Sequence, residues 1–335
     1  LIERLDRLRE ALAELGGELG RQAGRSRGLD NCRQRAVKLQ SVLVLTTQTP
    51  PENTIHWFET WRQSFRINLT PLDVADNFSA HRQGLPSRWV FTSATLSVNG
   101  KFDHFAKRLG LEDATTLKLD SPFDFQNHAL FYVPEGLPEP AHASYTDTML
   151  DHAEQIIRAS RGRCFVLFTS YRALNIAQRR LQDSCEFPLL VQGNAPRNEL
   201  LERFRELGNA VLLGTSSFWE GVDVRGEALS CVIIDKLPFA SPGDPVWQAR
   251  IDALKERGGN PFLEEQLPHA VITLKQGVGR LIRDVNDRGV LVICDPRLVA
   301  KSYGRVFLNS LPDMKRTRDF NEVVAFFQAS DVAGY

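Results

Sequence analysis

The sequence contains no G-x-x-x-x-G-K-S/T phosphate loop, because its single Gly-Lys pair, Gly100-Lys101, is followed by Phe102. It holds no Asp-Glu dipeptide to supply a DExx-type magnesium motif, and H-E-x-x-H and G-x-G-x-x-G are both absent. The five cysteines, at 32, 164, 185, 231 and 294, form no C-x-x-C pair, and their gaps suit neither a zinc site nor an iron–sulfur cluster. Cys164, Cys231 and Cys294 sit in or beside apolar runs, where cysteine behaves as a small hydrophobe, so a reducing, cytoplasmic setting is expected. No run of about 18 apolar residues occurs, so no transmembrane helix is expected. The opening LIERLDRLREAL carries acids and no h-region, unlike a signal peptide. An excess of either charge is missing too: 41 Lys plus Arg balance 41 Asp plus Glu. Taken alone, that neutrality argues against nucleic acid as a partner.

What is present reads as an ordinary globular chain of 335 residues, 42% hydrophobic and 24% charged, long enough for about two domains. Leu1, Leu5, Leu8, Leu12, Leu15 and Leu19 alternate at spacings of four and three, a heptad seam on a helix. A Gly- and Arg-rich turn follows, then Cys32, Ala36 and Leu39 predict a second helix, so residues 1–40 are expected to form an antiparallel hairpin. Arg21, Arg25 and Arg27 at its tip could touch nucleic acid but read most simply as a solvated basic turn. From Val42 to Leu72 the texture becomes short β-prone pieces: VLVLTTQ, TIHWFETW and SFRINLT.

Beyond residue 87 apolar runs alternate with helical patterns. RWVFTSAT, CFVLFTS, PLLVQ, AVLLGTS, CVIIDKL and GVLVICD read as strands covered on both faces. Helical patterns fall near 145–160, 171–183, 197–207, 245–256 and 264–282, so the expected fold is α/β, a parallel, doubly wound sheet flanked by helices. Ligands of such sheets bind at the carboxyl ends of the strands. Small hydroxyls stand there: Thr92 to Thr95 after RWVF, Thr169 and Ser170 after CFVLF, and Thr215 to Ser217 after AVLLG. They let backbone N–H and side-chain O–H groups approach phosphate oxygens, although Ser and Thr also cap helices routinely. In Gln276-Gly277-Val278-Gly279-Arg280-Leu281-Ile282-Arg283 the two arginines lie three apart and are expected on one helical face. Gly279 beside them would permit close backbone approach. A guanidinium pair of this kind suits the charge on a transferring γ-phosphoryl group, whereas an isolated R-x-x-R is usually a solvated face.

In order, TSATL (92–96), FVLFTSY (165–171), LLGTSSFWEGVDVRG (212–226) and QGVGRLIRD (276–284) resemble motifs III, IV, V and VI of superfamily 2 helicases. SPF at 121–123, FWEGVD and the KLPF of 236–239 narrow the resemblance to the XPD/DinG-like branch, and within it to the bacterial YoaA group. The resemblance spans about residues 40–315. It implies RecA-like motor domains, ATP and Mg2+ as cofactors, and 5′ to 3′ movement on single-stranded or forked DNA in repair or replication, in the bacterial cytoplasm at the nucleoid. It also implies a 4Fe–4S cluster and a helical arch inserted in the first motor domain, both with their main parts upstream of motif III. On this reading residues 1–40 end the arch, 41–110 hold the last strands of the first motor domain with motif III, and 111–335 form the second motor domain with a carboxyl-terminal helix.

The roles implied by the resemblance are specific. Arg280 and Arg283 would reach the γ-phosphate, positioned with Gln276 and Gly279. Glu220, Gly221 and Asp223 would couple nucleotide state to closure. Thr169, Ser170, Gln192 and Thr215 would touch the DNA backbone, and Ser93 and Thr95 would link the two sites. No residue here is expected to ligate a metal, and without a phosphate loop the chain alone is expected to be inactive. Phe218 and Trp219 suit base stacking and buried packing equally. Phe320, Val323, Val324 and Phe327 form a stripe on a last helix, expected to dock on the core or on a partner. The resemblance names the chi subunit of the DNA polymerase III clamp loader as that partner. The alternative to a helicase half is an ATP-independent module that docks DNA or protein.

Overall fold

The computed structural model describes residues 2–219 and 228–333. The chain divides into two compact units, one of residues 1–87, 108–110 and 241–259, the other of 88–107, 111–240 and 260–335. No helix among the described residues is long and apolar enough to cross a membrane.

In the first unit, helices Ile2–Arg21 and Arg27–Thr47 form the expected hairpin. Gly16 faces Val37 and Gly20 faces Arg33, so the helices run antiparallel. Leu5, Leu12 and Leu19 are half-buried, whereas Leu8 and Leu15 stay about half exposed. A single neighbouring helix covers only the seven-spaced half of the seam. Ser26 caps the second helix, its Oγ accepting from Leu29 N at 3.2 Å. The VLVLTT run continues this helix instead of forming a strand. The Ser41, Thr46 and Thr47 hydroxyls bond back to carbonyls four residues earlier, and packing on the first helix overrides β propensity. Strands β1 (Thr54–Thr60) and β2 (Phe65–Pro71) then pair antiparallel, Thr54 opposite Pro71 and Thr60 opposite Phe65.

The second unit carries a seven-stranded, wholly parallel sheet built from β3 (Ala129–Tyr132), β4 (Cys164–Leu167), β5 (Leu189–Val191), β6 (Val211–Gly214), β7 (Cys231–Ile234), β8 (Gly289–Ile293) and β9 (Lys315–Thr317). Their spatial order is β5-β6-β4-β7-β8-β3-β9. Alternate residues serve opposite faces. Phe165, Leu167, Leu212, Val232, Ile234 and Leu291 pack with helices Arg197–Leu207, Leu267–Val278 and Gly304–Ser310. Cys164, Val166, Leu213, Ile233 and Val292 pack with Tyr145–Ala159, Tyr171–Ser184 and Phe320–Ala333. Each such side chain contributes about 1.5–3 kcal/mol on burial, which explains runs apolar at every position.

One strand expectation of this unit fails, and two observed strands, Ala129–Tyr132 and Lys315–Thr317, were not expected. The 88–95 run joins no ladder: Val90 is 85% exposed, and Trp89 and Phe91 stack with ring centroids 6.1 Å apart. An apolar run becomes a strand only beside a sheet edge that can pair with it. Conversely, Lys315–Thr317 is a strand with no apolar pattern, defined by its register against Leu130–Tyr132. Cys164, Cys231 and Cys294 are buried free thiols, and burial pushes the Cys164 and Cys294 thiols well above their usual range. The last helix sinks Val323 and Phe327 into the sheet, with Phe320 against Tyr132.

Two glycines with positive φ separate strain from overlap. At Gly162 (φ 72°) a Cβ would overlap the Asn209 carbonyl, while at Gly136 (φ 75°) it would meet nothing within 4 Å. Gly136→Ala is expected to cost about 1–2 kcal/mol, the left-handed backbone term alone. Gly162→Ala should cost severalfold more or prevent folding, as read from urea midpoints of the two variants.

Candidate functional site

The sheet order places the carboxyl ends of β5, β6, β4, β7 and β8 side by side, and with them Gln192, Thr215, Thr169, Asp235 and Asp295 in one row. Each residue follows its strand by one to two positions, where the ladder runs out and backbone N–H groups need other acceptors. Gln192 Oε1 takes two of these bonds, from Thr215 N at 2.6 Å and Thr215 Oγ1 at 3.1 Å. Its amide Nε2 donates to the Tyr171 hydroxyl at 2.7 Å. Asp235 Oδ1 accepts from Thr169 N at 2.9 Å and Lys236 N at 2.6 Å, and its Oδ2 accepts from Thr169 Oγ1 at 3.2 Å. Ser170 Oγ caps helix Tyr171–Ser184 by accepting from Ala173 N at 3.2 Å. Thr169, Gln192 and Thr215 thus come together as a bonded edge, while the Ser170 hydroxyl serves a cap.

Asp235 and Asp295 are residues of this edge that sequence reasoning passed over. Each is fully buried. The Tyr145 hydroxyl reaches the backbone carbonyls of Asp235 and Cys294, tying β7 to β8 beneath the row. Asp295 accepts from Leu237 N at 2.8 Å and grips Arg297 through Nη2 at 2.6 Å and Nε at 2.9 Å. Burial pushes the Asp235 carboxyl up to about 7, against the opposing pull of the Lys236 charge and its hydrogen-bond donors. The only sequence signal was one Asp directly after each of two apolar runs, IIDK and VICDP.

The arginine motif differs from its expected form. Helix Leu267–Val278 ends at its cap, Gly279, so Arg280 and Arg283 lie in the turn beyond it and share no helical face. The close approach belongs to Gly277, where a Cβ would stand 2.8 Å from Trp219 Cε3; Gly279 meets only its own helix carbonyls. Arg280 is 7% exposed, and its Nε and Nη2 donate to the Trp219 carbonyl at 3.1 and 2.7 Å. Arg283 is half-buried, its backbone N–H donating to Asp287 Oδ2 at 2.7 Å. Gln276 Oε1 is buried with no hydrogen-bond donor among the described residues. One residue earlier, Lys275 Nζ donates to Ser97 O at 2.8 Å, and burial, with the Lys118 charge, holds its ammonium below the usual value. Ser93 and Thr95 pair through their hydroxyls at 3.2 Å on the surface. Phe218 and Trp219 are buried core residues. Glu220, Gly221 and Asp223 lie outside the described residues.

Residues 153–314 match the helicase C-terminal domain family, a span that includes the whole carboxyl-edge row and the arginine motif but not Ser93 and Thr95. The chain is 46% identical to the ATP-dependent DNA helicase YoaA of Haemophilus influenzae over 91% of its own length and 48% of that protein. To YoaA of Escherichia coli it is 48% identical over 90% of this chain and 48% of that one. The chain carries a helicase C-terminal domain and is similar over most of its length to YoaA and DinG helicases. The ATP-dependent helicase DinG of Mycobacterium tuberculosis is a more distant relative, 37% identical over 77% of this chain and 40% of that one. A solved XPD helicase shares the fold, with TM-score 0.60 at 18% identity over 86% of this chain and 54% of that chain. S. tokodaii Xpd4 gives 0.54 at 16% identity over 85% and 58%. The chain spans about half the length of the curated relatives it matches.

The raised carboxyl of Asp235 sets a pH dependence with a definite sign. Its folded value, about 7, exceeds the ordinary 3.8, so the stabilisation of the protonated form is full below about 4 and is lost as pH rises toward 7. Asp235→Asn keeps an acceptor for both backbone N–H groups and cannot titrate. The stability of the wild type relative to this variant is expected to fall by up to about 4 kcal/mol between pH 4 and 8. Paired denaturant titrations across that range check it.

Proposed function

We propose that this chain is the carboxyl-terminal motor half of an ATP-dependent DNA helicase that moves along single-stranded DNA and opens duplexes. The observation that carries this reading is the juxtaposition, within one helicase C-terminal domain, of a hydroxyl- and amide-lined sheet edge with an arginine motif. Bound ATP with Mg2+ would supply the phosphoryl-transfer energy. The residues present fit that group in part: half-buried Arg283 offers a guanidinium for phosphate charge, and the buried Gln276 Oε1 offers an acceptor awaiting a donor. The phosphate cradle and magnesium ligands belong, on this proposal, to residues other than these 335, as does the 4Fe–4S cluster.

The two arginines take separate tasks. Arg283 reaches the nucleotide, while Arg280 holds the Trp219 carbonyl; Glu220, Gly221 and Asp223 keep their proposed role in coupling nucleotide state to closure. Thr169 and Thr215 present a bonded backbone edge to DNA phosphates, with Gln192 locking the Thr215 side, and Ser93 and Thr95 relay between nucleotide and DNA. Polarity of 5′ to 3′, work in repair or replication and a cytoplasmic, nucleoid setting follow from the family resemblance. The same resemblance keeps the clamp-loader chi subunit as a partner. Because Val323 and Phe327 are buried against the sheet, such a partner would read the outer, polar face of the last helix.

In a helicase-competent protein containing this chain, Arg283→Ala is expected to lower DNA-stimulated ATP hydrolysis by at least a hundredfold, toward the 10³–10⁵ of arginine fingers, at temperatures where the variant remains folded. Arg280→Ala should lower the melting temperature as well as the activity, since it frees a buried carbonyl. Wild-type ATPase activity in Arg283→Ala would overturn the assignment.

A further inference from the structure

The β1–β2 hairpin is anchored at its base and exposed at its tip. His56 Nε2 bonds Leu45 O at 2.8 Å, Leu72 N donates to Asn53 O at 2.9 Å, and Arg250 Nε donates to Leu72 O at 3.0 Å. Toward the tip the turn is closed by Trp61 N donating to Ser64 O at 2.8 Å. There Phe58 is 73% exposed, Phe65 54% and Trp61 51%. The register sets Phe58 opposite Ile67 and Thr60 opposite Phe65, so Phe58 and Phe65 are diagonal neighbours on one face. The Arg66 guanidinium lies 5.5 Å from the Trp61 ring centroid, and Arg62 is exposed beside it. From Thr60 to Asn68 there is no acidic residue, and the nearest, Glu59, stands 3.7 Å from Arg66.

We propose that this hairpin tip is a base-stacking site for single-stranded DNA. The inference rests on the DNA reading above and adds a contact surface outside the helicase C-terminal domain match. Exposed aromatic rings interleaved with arginines are unfavourable in water but match unpaired bases and the phosphates between them. Charge selects the occupant: the tip carries Arg62 and Arg66 against the single acid Glu59, a basic balance that suits a phosphate backbone. A rigid base with a protruding aromatic end also places the rings where a base can slide between them at little entropic cost.

The test uses the 335-residue chain and a fluorescein-labelled oligothymidine, with an abasic strand of equal length as control. Trp61→Ala/Phe65→Ala is expected to weaken oligothymidine binding roughly 10- to 100-fold at about 1–3 kcal/mol per stacked base, with an unchanged melting temperature. Trp61→Phe should restore most of the affinity in the Phe65 background, and the abasic strand should be insensitive to both variants. Oligothymidine binding that is unchanged in the double variant, or absent in the wild type, overturns the tip site, whereas the helicase reading stands or falls separately on Arg283→Ala. A wild type that self-associates and a double variant that is monomeric with intact DNA binding would also overturn it, showing the tip to be a contact between copies.

Discussion

A parallel sheet buried on both faces ends all its strands at one edge, and there the hydrogen-bond ladder stops before the polypeptide turns away. Backbone N–H groups at that edge lie next to a core with no water, so side chains must accept from them. In this chain Gln192 accepts from Thr215, Asp235 from Thr169 and Lys236, and Asp295 from Leu237. Of that row only Thr169 and, in part, Gln192 reach the surface, while Thr215, Asp235 and Asp295 are buried. Asp235 shows the strain of this requirement: a carboxyl pushed up to about 7 by burial, held by three donors and a neighbouring lysine.

The second organising feature is the packing of Trp219 against the helix that carries the arginine motif. Gly277 admits the indole edge, and Arg280, just past the helix cap, turns back to hold the Trp219 carbonyl. Side chain and backbone of one residue are therefore fixed by two points of the QGVGRLIR segment. Ending the helix at Gly279 makes this possible, because a continued helix would carry Arg280 around the axis toward the direction of its i+3 neighbour, Arg283, instead of letting the two diverge.

Much of the site was legible before folding. Apolar runs with hydroxyls at their ends marked β4 and β6, and the amide at the end of PLLVQ marked β5. The helical patterns at 145–160, 171–183, 197–207 and 245–256 agree with the observed helices to within a residue or two. Asp235 and Asp295 were not legible, because a single acid after a strand has no local signature and acquires meaning only from the donors beside it. The 42–47 and 88–95 runs have strand-like composition, but one is claimed by a helical neighbour and the other lies beside no pairing edge. The short strand Lys315–Thr317 fails in the opposite sense, being polar by composition and made a strand by β3 alone.

The sequence by itself determined the alternation of buried strands and amphipathic helices, the residues at each strand end, and the motif order that marks the family. These are local or periodic properties, readable from burial preference and spacing. Only the tertiary structure decided which strand ends are neighbours, and so that Gln192, Thr215, Thr169, Asp235 and Asp295 form one row although more than a hundred positions separate its ends. It also decided that Arg280 is buried on a carbonyl while Arg283 stands half-exposed, and that the missing net charge says nothing of the local edge. Adjacency in a parallel sheet is set by long crossovers through a shared core, and no window of sequence contains that information.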